Sequence, residues 1–257
     1  MSNTADRIAA AWLDANTRLV HATPKGWYAE QGDAVGLVSQ CLLGSLNVAA
    51  SIAARPDLAS LDAIATAVAG FAVPWSILVR AEASEATAEL AARHGLTARS
   101  DIPIMACAAG DALLRADESQ LRSIRRVGSA SSDAYTTALA EGFEVPASRF
   151  GSLMEGSVLD APGFTGYLTA ASGRPDATGL GIDGPGVIGV YNIAVAPHAR
   201  RRGIGRAMTA RVIEDGFAAD ADTAYLLASA AGRPLYESMG FQHIENWSMF
   251  TAPATAA

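Results

Sequence analysis

Four arginines and two glycines are packed into Arg200-Arg201-Arg202-Gly203-Ile204-Gly205-Arg206, directly after the β-like run Gly189–Val195 and before a helical pattern reaching about Phe217. A strand that turns through glycine into a helix gathers backbone N–H groups without partners, and the aligned peptide dipoles add partial positive charge there. Such a junction binds anions, a pyrophosphate for example, and glycine lets the anion approach the backbone closely. A nucleotide P-loop is excluded, because no lysine and hydroxyl follow Gly205. A second stretch with chemical potential is Leu235-Tyr236-Glu237-Ser238-Met239-Gly240-Phe241. The phenol of Tyr236, with an ordinary pKa near 10, is neutral at pH 7 and able to donate a proton.

The chain that must position these groups has 257 residues, enough for two domains of roughly 100–150 residues each. Half of it is apolar and 18% is charged, so a sizeable core is available and global disorder is excluded. A net charge of −7 argues against nucleic acid as a partner, and the three consecutive arginines are too few to reverse that. Cys41 and Cys107 lie in apolar runs and read as buried free thiols, forming neither a disulfide framework nor a metal set. No His/Cys/Asp group has metal-ligand spacing and no G-x-S-x-G occurs, which excludes a covalent serine mechanism. The first residues lack a basic segment followed by an apolar one. Val35–Ala54 is apolar but carries Ser39, Gln40, Ser45, Asn47 and Ser51, and reads as two buried strands rather than a membrane span. The expected location is cytoplasmic.

Periodicity predicts a helix over 4–19 with Ile8, Ala11, Trp12, Ala15 and Leu19 on one face, then strands near 34–42 and 46–53. Pro56-Asp57 opens a helix to about Ala69, stopped by Gly70; 75–79 is a strand and Ser84 begins a helix ended by Gly95. Residues 96–100 and 102–108 read as a strand pair, and 111–119 as a linker. Beyond it come a strand at 121–127, a helix at 133–141 stopped by Gly142, and a short helix at 146–153. Strands follow at 164–171, 177–182 and 187–195, then a helix at 204–217, a strand at 224–228, a helix at 233–239 and two short strands in 242–251. The fold class is α+β, with a mostly antiparallel sheet flanked by helices. The halves are divided as 1–115 and 120–257; from its strand pair onward the first follows the element order of the second, short by about one strand, which suggests a diverged tandem repeat.

The pattern resembles the GNAT superfamily of acetyl-CoA-dependent N-acetyltransferases. In that family a strand ending V-x-P precedes [QR]-x-x-G-x-[GA] and a helix, and Val195-Ala196-Pro197 with Arg200-Arg201-Arg202-Gly203-Ile204-Gly205 matches at that spacing. The later stretch is similar to the family's L-Y-x-x-x-G-F on the last helix. The resemblance covers 122–251 and is sharp within 191–241. It implies a GNAT fold of two lobes, the N-terminal one degenerate, with acetyl-CoA as donor, CoA as product and an amine as acceptor. It also implies that Arg200, Arg201, Arg202, Gly203, Ile204, Gly205 and Arg206 hold the pyrophosphate. Ile193, Ala194 and Val195 would pair with pantetheine, with Ser229 near the cofactor in place of the family's Asn, and Tyr236 would be the general acid. Dimerisation is common in the family.

One departure stands out. Many relatives carry a glutamate base on the strand before the loop, where this chain has Tyr191 and Asn192. Period-two alternation puts Asn192 and Ala194 on one face, opposite Tyr191, Ile193 and Val195. Asn192 could orient a water but cannot take a proton. Glu141, Glu144, Glu155 and Asp160 are the carboxylates that could serve instead, and His198 reads as simply exposed. The rival reading, kept open by the missing glutamate, is a non-catalytic acyl-CoA sensor or interaction module. In the first half the equivalent junction is Ala53-Ala54-Arg55-Pro56-Asp57, which has no glycine and should bind no CoA.

Overall fold

The computed structural model describes residues 4–80, 82–151, 153–169 and 174–253. It divides into two compact units. Unit 1 comprises Met1–Ile104, Gly151–Leu153 and Glu245–Ala257; unit 2 comprises Met105–Phe150 and Met154–Ile244. This partition differs from a cut at 115–120: residues 105–115 go with the second unit and the last strand returns to the first.

Unit 1 starts with α1 (Thr4–Ala22), whose buried Ile8, Trp12, Ala15 and Leu19 recur at helical spacing. Next come β1 (Trp27–Gln31), β2 (Ala34–Val38) and β3 (Asn47–Ser51), an antiparallel meander. The strand β1 was not legible in the sequence, because its residues are only partly buried and do not alternate cleanly. The helix α2 (Leu58–Ala69) buries Leu61, Ile64, Ala65 and Val68, and β4 (Ser76–Val79) runs parallel to β3. Burying side chains of that size contributes about 1.5–3 kcal/mol each. The helix α3 (Glu85–Arg93) is capped by the Ser84 hydroxyl, which accepts the Thr87 N–H at 3.2 Å. Arg80, at the end of β4, is held by Asp6 of α1 at 2.7 Å and by Glu245 at 2.9 Å.

The two expected strand pairs are single strands, β5 (Ala98–Ala108) and β11 (Gln242–Thr251). Each crosses from one unit to the other: β5 leaves unit 1 after Ile104, and β11 enters it at Glu245. In β5 the exposed Arg99, Ser100 and Asp101 give way to buried Ile104 to Cys107. That midway change of environment is what made one strand read as two.

In unit 2, α4 (Glu118–Ser123) stands where linker and strand were expected, capped by Asp117, and only β6 (Ile124–Val127) is extended. The helix α5 (Ser132–Phe143) continues through Gly142 and ends at Glu144 in the left-handed region. Gly142 is therefore no stop signal. A Cβ there would lie 2.6 Å from Ala194 Cβ, so glycine permits the close packing of α5. Of the expected helix at 146–153 there is only a 3-10 turn at Ala147–Arg149. The strands β7 (Phe164–Thr169), β8 (Ala177–Gly184) and β9 (Val187–Val195) continue the antiparallel sheet from β6. They are followed by α6 (Ile204–Ala218), β10 (Thr223–Leu227), parallel to β9, and the one-turn α7 (Arg233–Glu237). The half-buried Asp215 fastens α6 to the sheet, accepting the Tyr167 O–H at 2.7 Å and the Arg126 Nε–H at 2.9 Å. Burial alone would raise its carboxyl pKa, but these donors together with Arg211 hold it below the usual range. Among the described residues, no helix is long and apolar enough to cross a membrane.

Candidate active site

The strand β9 pairs with β10 only at Val187–Thr223, Ile188–Ala224 and Gly189–Tyr225, while β9 itself runs on to Val195. The two parallel strands therefore part beyond Gly189. On the other edge, Leu180 faces Tyr191 and Thr178 faces Ala194, so Gly179 alone is opposite both Asn192 and Ile193. This is a β-bulge, with Asn192 in the left-handed region at φ 52°. It overturns the simple alternation. Leu180 and Thr178 are two apart, hence on one face, and their partners Tyr191 and Ala194 share that face too. Behind the bulge the buried Tyr135 hydroxyl on α5 donates to Gly179 O at 3.2 Å, and the Thr178 hydroxyl donates to Asn192 O at 2.8 Å.

After β9, a 3-10 turn at Pro197–Ala199 tucks in the buried Ala199. Arg201 (φ 64°) and Gly203 (φ 80°) then adopt left-handed backbone, which swings the chain into α6. Gly203 is the N-cap of α6 and supplies no side-chain bond. The first helical bond is Ala207 N–H to Gly203 O, so the N–H groups of Ile204, Gly205 and Arg206 find no acceptor among the described residues. Unpaired N–H groups at a helix start suit an anion.

The arginines divide into two kinds. Arg200 ties β9 to the end of α5, donating to Val195 O at 3.1 Å, Gly142 O at 3.0 Å and Glu144 Oε1 at 2.7 Å. Arg206 turns toward Leu113 and Ser238. Both side chains are thus engaged by the protein itself. Arg201 and Arg202 are exposed beside this helix start. His198 is not merely exposed either; its Nε2 lies 2.9 Å from Oδ1 of the buried Asp176, anchoring the turn.

Across the gap, the Ser229 hydroxyl accepts the Gly232 N–H at 3.1 Å and so shapes the turn into α7. Tyr236 is 9% exposed, its ring 5.8 Å from that of Phe241, and its hydroxyl has no hydrogen-bond partner among the described residues. Burial pushes the phenol up to about 12. Gly240 has φ 94°, and a Cβ on it would meet Asp111 O at 2.3 Å, so only glycine lets the chain leave α7 there. Among the candidate carboxylates, Glu141 is paired with Arg174 at 2.8 Å and Glu144 with Arg200. Asp160 accepts the Ser129 N–H, and Glu155 is exposed. Sequence reasoning missed Tyr225, whose hydroxyl bonds that of Tyr191 at 2.8 Å on the neighbouring strand. No local spacing connects two residues that meet only through strand pairing.

Residues 163–243 match the family model described as acetyltransferase (GNAT) domain, and this stretch contains the bulged strand, the turn into α6 and α7. The match indicates a transferase enzyme, and GNAT proteins generally use acetyl-CoA as donor and amines as acceptors. No curated protein matches the chain. Solved structures share its fold over the full length. A GCN5-related N-acetyltransferase from Kribbella flavida is 22% identical, with TM-score 0.68, covering 99% of this chain and 98% of its own. A GNAT-family acetyltransferase structure from Novosphingobium aromaticivorans is 17% identical, with TM-score 0.63, covering 97% and 98%. A tandem GNAT protein from the clavulanic acid biosynthesis pathway is 13% identical, with TM-score 0.57, covering 100% and 98%. The GNAT fold in two lobes is thereby common to this chain and its neighbours.

Proposed function

We propose that unit 2 transfers an acetyl group from acetyl-CoA directly to an amine, of a small molecule or a peptide, and that unit 1 binds no CoA. The observation that carries this reading is the parting of β9 and β10 between an uncapped helix N-terminus and an unpartnered, buried phenol. The fit to the cofactor is good on each count. The amides of 204–206, with Arg201 and Arg202 beside them, suit a pyrophosphate. The edge of β9 at Ile193–Val195, no longer paired with β10, suits the amides of pantetheine. When bound, acetyl-CoA supplies an activated thioester.

What the chain contributes is orientation and proton placement. Tyr236 keeps a proton on its Oη throughout the physiological range, available to a departing thiolate of pKa about 8.5. As the new C–N bond forms and the C–S bond breaks, that proton goes to sulfur, the amine proton leaves to solvent, and the tyrosinate, the stronger base, is reprotonated from solvent. An alkylamine must first be deprotonated, at about 4–5 kcal/mol from pKa 10.4 at pH 7. Glu155, exposed, is the candidate carboxylate that no other residue occupies among the described residues.

The deciding experiment measures CoA release from acetyl-CoA against a panel of spermidine, lysine, aniline and an N-terminal peptide amine. Transfer to any of them supports the reading. Acetyl-CoA that binds and is never turned over would leave a binding module instead.

A further inference from the structure

Arg206 lies in the first turn of α6, where its type and position suggest a phosphate contact, yet its guanidinium reaches the opposite way. Nη1 donates to Leu113 O at 3.4 Å, and Nη2 approaches Ser238 O at 3.5 Å and bonds the Ser238 hydroxyl. That hydroxyl donates onward to Leu235 O at 2.6 Å. Leu113 returns to the same place, its N–H bonding Met239 O at 3.0 Å. Three segments of unit 2 meet at this one side chain: the cofactor helix, the segment after β5, and the C-terminal cap of α7. Ser238 is two residues from Tyr236.

The helix needs such a clamp. At five residues α7 is too short to hold itself in water, where isolated helices under about 12 residues are marginal. Its internal ion pair, Arg233 to Glu237, is exposed on both sides and adds little. Bonds from a guanidinium are stronger than neutral ones and fix direction as well as distance.

We propose that Arg206 is a positioning residue for Tyr236, holding α7 against the first turn of the cofactor helix, and not a phosphate ligand. The proposal rests on the acetyltransferase reading given above. Its test compares Arg206→Ala, Arg206→Lys and Ser238→Ala, each made also in a Tyr236→Phe background. Acetyl-CoA affinity is measured by calorimetry. Turnover is measured as CoA release to the fastest amine of the panel, or to water where no amine is used.

Arg206→Ala should lower kcat about tenfold and leave the acetyl-CoA Kd within about twofold, with no more than a twofold further loss once Tyr236 is already Phe. Lysine should recover only part of the loss, and amide hydrogen exchange across 233–240 should accelerate. A Kd raised about tenfold with kcat unchanged would make Arg206 a phosphate ligand after all. Equal kcat losses in both backgrounds would break the link to Tyr236. Should Arg206→Ala fail to fold, Ser238→Ala tests the same junction by removing its hydroxyl. If Tyr236→Phe alone leaves kcat unchanged, the general-acid reading falls. Affinity and hydrogen exchange then still separate clamp from ligand.

Discussion

β3 with β4 and β9 with β10 are the same kind of parallel pair, each lying beside a helix that starts just past the first strand. In unit 1 the pairing continues to the last residues, Ser51 opposite Val79, and is extended by Arg80 N–H to Ser51 O at 3.0 Å. In unit 2 it stops at Gly189 and Tyr225, and a bulge turns β9 away. The helix starts differ in the same sense. Asp57 caps α2 with its own carboxylate, accepting the Ala59 N–H at 3.1 Å, and Asp33 takes the Asp57 N–H. Gly203 caps α6 with nothing. A cavity of about 400 Å³ opens in unit 1, lined by Arg55, Arg80 and Ser84 among others. The site proposed in unit 2 thus differs from its unit 1 counterpart by two absences together: a missing strand pairing and a missing cap.

The sharpest way to break that comparison is stoichiometry. Calorimetric titration of the whole chain with acetyl-CoA should give one site, and two would mean that unit 1 is not closed. Converting one junction toward the other comes next. Gly203→Asp puts a carboxylate where Asp57 has one, at a residue whose φ of 80° a side chain resists, and should weaken acetyl-CoA binding about a hundredfold. An unchanged Kd would show that the start of α6 is not the phosphate site.

Tyr236→Phe should lower kcat at least about tenfold with acetyl-CoA affinity nearly intact; unchanged turnover would remove the tyrosine from the chemistry. The pH dependence sharpens this assignment. The native pKa, about 12, lies above the ordinary 10. The native state therefore favours the neutral phenol, a preference intact below pH 10 and lost only as pH climbs from about 10 to about 12. No alkaline loss of kcat from Tyr236 is expected below pH 10, and ultraviolet titration of the wild type against Tyr236→Phe would locate its ionisation.

A smaller effect is expected at Gly142→Ala, where a Cβ would press on Ala194. Overpacking of this kind destabilises by about 1–3 kcal/mol, which denaturant unfolding would register. Because Ala194 lies on the strand that parts from β10, acetyl-CoA affinity should fall with it. Smallest of all, Asp57→Ala should lower the melting temperature slightly and leave acetyl-CoA binding untouched. The Ser60 hydroxyl and Ala59 N–H hold the Asp57 carboxyl below its usual range. Its capping contribution should therefore be intact above about pH 4 and lost as pH falls further.

Much of this arrangement was legible in the residues. The strand–turn–helix at 187–217 and the helix start at Asp57 declare themselves through local chemistry, glycine and arginine in one case, proline and aspartate in the other. Local signals failed where a residue's environment is set by distant chain. Gly142 reads as a helix stop because nothing nearby reveals Ala194 packed against it. Nothing near Arg200 and Arg206 reveals the partners of their guanidinium groups, Glu144, Leu113 and Ser238, which are remote in sequence.

The amino-acid sequence by itself determined the α+β class, the doubled element order and the uncapped start of α6, since each follows from hydrophobic period and from which backbone groups a turn leaves unpaired. Only the tertiary structure decided that β5 and β11 are single strands crossing between units, and that a bulge at Asn192 reverses which side chains share a face. It also decided which arginines remain free for an anion. Pairing register and long-range hydrogen bonds settle those points, and both depend on residues that meet only when the chain has folded.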